Sequence, residues 1–443
     1  MIFRVLLFVI FALFIAFGAS WLSQQEGMTT VTWLGYRGEI SSSMAVVLIA
    51  ILCVVVMMID RMVRALFRWP SLFSAGWQAR RRQKGELALS LGFVALAAGD
   101  HKAAVKQARR AEKLLDKGIL TDLLVAQSSY ANGDAKAANR YFKKLAGEKQ
   151  TAYFGQLGLM RLHQQAPDDQ QGELSQLAYH AAEKAFALDP TSAEAAQVIL
   201  QKALLDRHWR KALDCLKVYV NHSGGQTEDE IRKAGDLHAR LCLQLAQEAM
   251  ESEALAEAIS YGEQAIAERP DFAPASHFLV SALLEKNDKR QAQKLALKSF
   301  LACPHPMTLA SLQKVRSDND GSFINFATKQ ALKSKRPDDG LMAVAGFALS
   351  AGIWASASQL LSQLSADYPR HNEYFMMKAQ IAKALEDDEG QQDALEQAAM
   401  APRAGLWQCL QCGDGHAFYH FDCPSCQVPA QIHWHWPIGT SVQ

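Results

Sequence analysis

Apolar residues follow three different rhythms along the chain. From Val5 to Phe17 every residue is apolar, and the run extends through Gly18, Ala19 and Ser20 to Trp21 and Leu22, a helix of the length that crosses bilayer hydrocarbon. A second run covers about Ile40 to Ile59 and meets no polar side chain between Met44 and Ile59. Beyond Gly85 the apolar positions take the helical period instead, on helices short enough to be surface-exposed on one side. After residue 405 the helical pattern stops, and cysteine and aromatic residues dominate a short segment. The pattern predicts a mainly α chain: an N-terminal two-helix transmembrane hairpin, an α-solenoid and a small C-terminal module.

The solenoid follows from a second, longer period. Gly99-Asp100 and Gly133-Asp134 stand 34 residues apart, and each glycine is followed five residues later by alanine, Ala104 and Ala138. That spacing fits tetratricopeptide helical hairpins, where glycine ends the first helix and a small residue lets two helices approach. Ala258 and Ala292 repeat the close-contact position, and Leu91-Gly92 and Leu157-Gly158 fit the first helix. Ala185 with Pro190, Ala265 with Pro270, Ser299 with Pro304 and Leu364 with Pro369 place a helix-closing proline at a fixed offset. About eight helix pairs are expected between 85 and 400, with irregular inserts near Gln164–Gly172 and Arg316–Gly340. Stacked pairs of this kind expose a concave groove suited to peptides and protein surfaces.

Charge changes the picture at one end only. The whole chain has 46 Lys+Arg against 45 Asp+Glu, which removes the basic signature of a nucleic-acid binder. Residues 1–84, however, carry nine basic and three acidic side chains. Arg61, Arg64 and Arg68 follow the second span directly and Arg4 precedes the first, so both ends of the hairpin are expected on the cytoplasmic side. Trp21, Trp33, Tyr36 and Trp69 sit near the span ends as interfacial anchors. The basic arm also holds Phe67, Phe73 and Trp77, which suits a helix on anionic lipid or a solvated retention signal. A cleaved signal peptide is the competing reading of the first segment. The second segment would then still stop transfer and leave the bulk of the chain in the cytoplasm.

Candidate chemistry is concentrated near the C-terminus. Of eight cysteines, Cys409, Cys412, Cys423 and Cys426 form two CxxC pairs, whereas Cys53, Cys215, Cys242 and Cys303 are scattered. Each CxxC makes a tight turn that aims two thiolates at one point, and two such turns supply the tetrahedral sulfur site preferred by Zn²⁺, or by iron in rubredoxin-like modules. A closed four-sulfur site has a structural role. His416, His420, His433 and His435 with Trp407, Trp434 and Trp436 read as packing or a docking face rather than as ligands. Cys303-Pro304 and Cys423-Pro424 already have structural positions, which leaves no haem ligand among them. No GxGxxG after a strand, GxxxxGK[ST], HExxH or GxSxG occurs. Asp206 with His208 is an ordinary loop pair, and no catalytic constellation is found.

Two spans with Val31-Thr32-Trp33-Leu34-Gly35-Tyr36-Arg37 between them, the basic arm ending Arg80-Arg81-Arg82, and Gly85 to Ala111 opening the repeats together resemble the HemY-type tetratricopeptide membrane proteins of proteobacteria. The likeness is strongest over residues 1–115. It implies a bacterial inner-membrane location and a link to late haem biosynthesis or porphyrin metabolism. The absent dinucleotide fingerprint separates the chain from the flavoenzyme that shares the name. The four-cysteine module is similar to the rubredoxin-like module of LapB, an anchored repeat protein that regulates lipopolysaccharide assembly.

The expected organisation is transmembrane helix 1 (1–22), a periplasmic loop (23–39), transmembrane helix 2 (40–59), a basic juxtamembrane arm (60–84), the repeat solenoid (85–400), the metal module (405–430) and a tail (431–443). The expected function is a non-enzymatic, multi-pass scaffold that binds partner proteins in its groove, haem-pathway enzymes among them, with lipid around its spans and structural zinc. The alternative is an adaptor that regulates an envelope-biogenesis enzyme through its repeats and cysteine module, and a weaker third is a direct haem or porphyrin carrier.

Overall fold

The computed structural model describes residues 17, 18, 20, 21, 28–33, 36–115, 118–165, 171–225, 227–316, 318–403 and 405–435. Most of the first apolar segment, 1–22, and the insert at 166–170 lie outside the described residues, as do Trp436 and the residues after it. The chain divides into two compact units, Met1–Asn132 and Gly133–Gln443.

In the first unit, β1 (Met28–Trp33) and β2 (Tyr36–Ser41) form an antiparallel ladder with Met28 opposite Ser41 and Trp33 opposite Tyr36. The sequence reads this stretch as a loop. Its run of Thr and Val carries the strand signal, in a segment too short for period-2 alternation to stand out. Helix α1 (Ser42–Ala97) then runs 56 residues, joining the second apolar segment, the basic arm and the first repeat helix without a break. Pro70 lies inside it and lacks the N–H that would complete one helical turn. Met44–Arg64 has mean hydropathy 2.7 with none of it buried, and among the described residues it is the one helix long and apolar enough to cross a membrane.

The last turns of α1 pack against α2 (His101–Leu114) and α3 (Ile119–Ala131). Gly92 makes the approach to α3 feasible, because a Cβ there would overlap the Leu124 side chain. Ala104, Ala108 and Ala111 are enclosed on α2. The Gly-Asp pair between α1 and α2 acts twice: Gly99 takes φ +76° to end one helix, and the Asp100 carboxylate accepts the Ala103 N–H at 2.9 Å to start the next.

The second unit begins with the same device, Gly133 at φ +79° and Asp134 accepting the Ala137 N–H. It caps α4 (Ala135–Ala146), which packs on α5 (Ala152–Gln164). Helix pairs then follow as α6 (Gln171–Leu188), α7 (Ala193–Leu205), α8 (Trp209–His222), α9 (Glu228–Glu251), α10 (Leu255–Glu268), α11 (Ala273–Glu285), α12 (Lys289–Ala302), α13 (Pro306–Lys314), α14 (Asp320–Ala331), α15 (Pro337–Ser350), α16 (Trp354–Ser362), α17 (Asn372–Ala384) and α18 (Asp388–Met400). Consecutive helices pack as tetratricopeptide-like hairpins. Ala138, Ala258 and Ala292 are fully enclosed, as the close-contact position requires. Gly158 admits the Phe142 ring where any Cβ would collide with it.

Pro190, Pro270 and Pro304 each follow a helix ending at Leu188, Glu268 and Ala302. Leu364 falls beyond the end of α16, so the fourth proline is outside the frame. The stretch Arg316–Gly340 is no irregular insert: it holds α14, whose Asn319 side chain accepts the Ser322 N–H at its start. A continuous apolar core runs from Ile259 through Phe300, Phe323 and Val344 to Ile381, each enclosed large side chain contributing about 2 kcal/mol.

After α18, β3 (Leu406–Cys409) pairs antiparallel with β4 (Gly415–His416) on one side and β5 (Ile432–His435) on the other. Trp407 faces Trp434 across this ladder. The module therefore reaches His435, into the stretch that the sequence leaves as a tail.

Candidate metal centre and its seat on the repeats

Two chain reversals bring the cysteines together. In the first, the Gly413 N–H donates to the Cys409 carbonyl at 2.9 Å with Gly413 at φ +75°. In the second, the Gln427 N–H donates to the Cys423 carbonyl at 2.8 Å. Gln427 takes φ +57°, a conformation that costs a residue with a Cβ about 1 kcal/mol. The four sulfurs lie within 4.8 Å of one another, with Cys409–Cys426 and Cys412–Cys423 both at 3.7 Å. Thiolates about 2.3 Å from one tetrahedral centre stand about 3.8 Å apart. Spacing and donor type thus fit a single metal ion, which such a group can hold.

The histidines have other employment. His416 Nε2 is 3.4 Å from Cys423 Sγ, and His420 stacks at 6.0 Å on His416. His433 joins the repeat contact described below, and no histidine belongs to the converging group. The scattered cysteines stay apart: burial pushes the thiols of Cys215 and Cys242 up to about 11 and that of Cys303 up to about 12, so they are inert.

Only a few module side chains are enclosed, namely the cluster of Trp407, Cys409, Cys423 and Ile432, with Phe421 beside Trp209 of the helices. A core of this size does not hold a fold alone, and the rest of the support comes from the helices. Arg240 on α9 is 3 % exposed. Its Nε donates to Asp236 at 2.7 Å, one Nη donates to the Ile432 carbonyl, and the other meets His433 Nδ1 at 3.0 Å. The guanidinium also lies 5.5 Å from the Phe272 ring and 5.8 Å from that of Tyr419. Asp236 is shared with Arg269, which continues to Asp271 at 2.9 Å. Burial, then the Arg240 charge, pushes His433 down to about 4, so its ring is neutral and accepts from Arg240.

A second contact is aromatic. His305, just ahead of α13, is 2 % exposed and lies 4.1 Å from Trp434 and 5.4 Å from Trp407, ring centre to ring centre. Its Nδ1 accepts the Met307 N–H at 3.0 Å. Trp209 stacks edge-on with Phe421 at 4.6 Å, and Arg207 pairs with Asp422 at 2.9 Å on the rim.

Burial, then the nearby His277, pushes His305 down to about 3. The unfolded chain binds the proton near 6.5, so this residue removes stability as pH falls from 6.5 towards 3. Between pH 6.5 and 5 the loss amounts to about 2 kcal/mol. His305→Asn keeps an acceptor at the start of α13, and thermal melts of the two proteins at pH 7 and pH 5 are expected to show a smaller acid-induced drop for the variant. Equal drops would remove His305 as the cause.

The four cysteines named from sequence are thus brought together. Trp407 and Trp434, read from sequence as packing or a docking face, pack on each other and against His305, while Arg240, Asp236, His305 and Trp209 are not singled out by any motif.

With this geometry in hand, residues 27–133 match the family described as HemY protein N-terminus. No curated protein matches the chain. Among solved structures, a thermophilic tetratricopeptide protein of Thermus thermophilus is 21% identical over 45% of this chain and 99% of its own, with a TM-score of 0.26. The TPR2AB domain of yeast Sti1, solved in a complex with pHSP90, is 12% identical over 71% and 98%, with a TM-score of 0.27. The Naa15/Naa10 structure bound to HypK is 12% identical over 71% and 63%, with a TM-score of 0.31. Successive helices of the chain itself pack as hairpins throughout the repeat region.

Proposed function

We propose that the protein is a non-enzymatic scaffold of a bacterial inner membrane, with its repeats on the cytoplasmic side gathering protein partners, enzymes of late haem biosynthesis among them. The observation that carries this reading is the continuity of α1, in which an exposed apolar span passes directly into the first repeat helix of a HemY-type segment. Arg61, Arg64 and Arg68 follow the span and favour retention of everything after it in the cytoplasm. A first span at 1–22 completes a multi-pass hairpin. Two partners held on one scaffold meet at an effective concentration on the order of mM for short tethers. Zinc at Cys409, Cys412, Cys423 and Cys426 clamps the module and takes no part in chemistry.

Affinity purification of the detergent-solubilised protein from its host, with mass spectrometry and metal analysis, tests the proposal. Recovery of ferrochelatase or a protoporphyrinogen-oxidising enzyme supports it. Absence of every haem-pathway enzyme, together with unchanged porphyrins in a deletion strain, sinks the haem link.

The adaptor reading has its own support, the seating of the cysteine module on the repeats through Arg240 and His305, which ties a metal site to the repeat surface. On that reading Cys409→Ser with Cys412→Ser changes the level of an envelope-lipid enzyme while porphyrins stay normal.

A further inference from the structure

A cavity of about 280 Å³ opens between α13, α15 and α17 and is closed on one side by Gly405 and Trp434 of the module. Its wall is largely apolar and aromatic, with Phe347, Tyr368 and Trp434 as ring faces. Three acidic or basic groups also reach it: Asp339, His371 and Glu373.

Asp339 is satisfied. The Tyr368 hydroxyl donates to it at 3.0 Å, and Arg336 stands 3.7 Å away. Its neighbour Asp338 accepts from Ser365 N and Oγ at 3.0 and 2.6 Å. Glu373 differs, because no cation pairs with it among the described residues, and burial pushes its carboxyl up to about 7. Gly405 has φ +73°, and any side chain there would run into the Glu373 carboxylate. The acid thus rests against bare backbone.

His371 is 2 % exposed and its Nδ1 has no partner. Its Nε2 is 3.5 Å from the Tyr368 hydroxyl, whose proton is already directed at Asp339. Nε2 therefore carries the ring's hydrogen and donates to the tyrosine oxygen, which leaves a lone pair on Nδ1. Burial, then the Arg370 charge, pushes His371 down to about 4, so it stays neutral at physiological pH. Glu373 and His371 Nδ1 are both acceptors, and Phe347, Tyr368 and Trp434 line the same cavity.

We infer that this cavity takes the cationic side chain of a partner segment, a lysine or arginine, with its N–H donors on the Glu373 carboxylate and His371 Nδ1 and its charge between the Phe347, Tyr368 and Trp434 rings. The inference rests on the scaffold reading and gives its partner a chemistry. The chain's own residues 436–443 continue from β5, but they contain no Lys or Arg and do not match the charge.

The test uses the full-length protein in detergent and two labelled peptides, acetyl-Ala-Leu-Arg-Leu-Ala-amide and its counterpart with citrulline, the neutral isostere of arginine. The arginine peptide is expected to bind about tenfold tighter or more at pH 8. The preference shrinks towards pH 6, where Glu373 protonates; the other titratable or charged groups around it are Asp338, Asp339, Arg336, Arg370, Tyr368 and His371, of which burial raises Asp339 and Tyr368 and lowers His371. Glu373→Gln is expected to abolish the preference without lowering the melting temperature. Gly346→Lys, whose Cβ meets only the terminal methyl of Met377, supplies an internal cation and is expected to abolish it too. Equal affinity for the two peptides, a preference that survives Glu373→Gln, no binding of either, or a preference that emerges only after removal of 436–443 would each overturn the inference. Co-purification of partner proteins undiminished by Glu373→Gln would leave the scaffold reading standing by itself.

Discussion

Stripping the metal is expected to unfold residues 405–435 while the helices persist. Without the cation nothing draws the four sulfurs within 4.8 Å of one another together, and the enclosed side chains of the module number too few to compensate. In small zinc-folded domains the metal contributes about 10–16 kcal/mol of folding free energy, more than this core supplies. A strong chelator at neutral pH, or Cys409→Ser with Cys412→Ser, should bring backbone hydrogen exchange over 406–435 close to that of a free chain. Helical ellipticity should fall little, since β3, β4 and β5 contribute almost nothing to it. Metal analysis of the untreated protein should return one ion per chain, colourless if zinc and absorbing in the visible if iron. Protection of 406–435 that survives complete metal removal would mean that the helices, not the ion, hold the module.

Arg240→Ala carries the second large effect and separates seat from clamp. Removing one partner of an enclosed charge pair costs about 3–5 kcal/mol, because the groups left behind cannot recover water. Here Asp236 retains Arg269, so the loss falls on the Ile432 carbonyl and on His433, both on β5. The variant should keep its metal while hydrogen exchange rises over 432–435 and in the α9 turn that held the guanidinium. Arg240→Lys should recover little, since one ammonium cannot reach Asp236, Ile432 and His433 together. An Arg240→Ala protein with wild-type exchange at β5 would show that the aromatic contacts around His305 suffice.

These two sites differ in how far the sequence discloses them. A CxxC pair fixes two thiols within a single turn, so the metal centre is legible from local spacing. Gly99-Asp100 and Gly133-Asp134 are legible for the same reason, since both halves of the turn are adjacent in the chain. Elsewhere the same turn is made by Arg207-His208, Glu253-Ala254, Asn287-Asp288 and Glu386-Asp387 with a positive φ on the first residue, and there the glycine signal is gone although the backbone is the same. Asn287-Asp288 still shows its aspartate cap on Gln291. Arg240 is illegible: four residues after Asp236 on a polar helix it looks like a solvated ion pair, and its other partners, strand β5 and the Phe272 and Tyr419 rings, lie further along the chain. The β1–β2 hairpin is missed because its strands lie beside a far stronger apolar run.

Helix α1 has a mechanical consequence. At 1.5 Å per residue its 56 residues measure roughly 84 Å, and no loop separates the segment in lipid from the turns that pack on α2 and α3. A helix transmits rotation about its own axis, at about 100° per residue. The face that the first repeat turns towards the bilayer is therefore set by the number of residues in the arm, as a key's bit is set by its shank. Deleting one arm residue would swing that repeat by more than a quarter-turn, and three or four would bring it back near its starting azimuth, so the arm has a phase as well as a length.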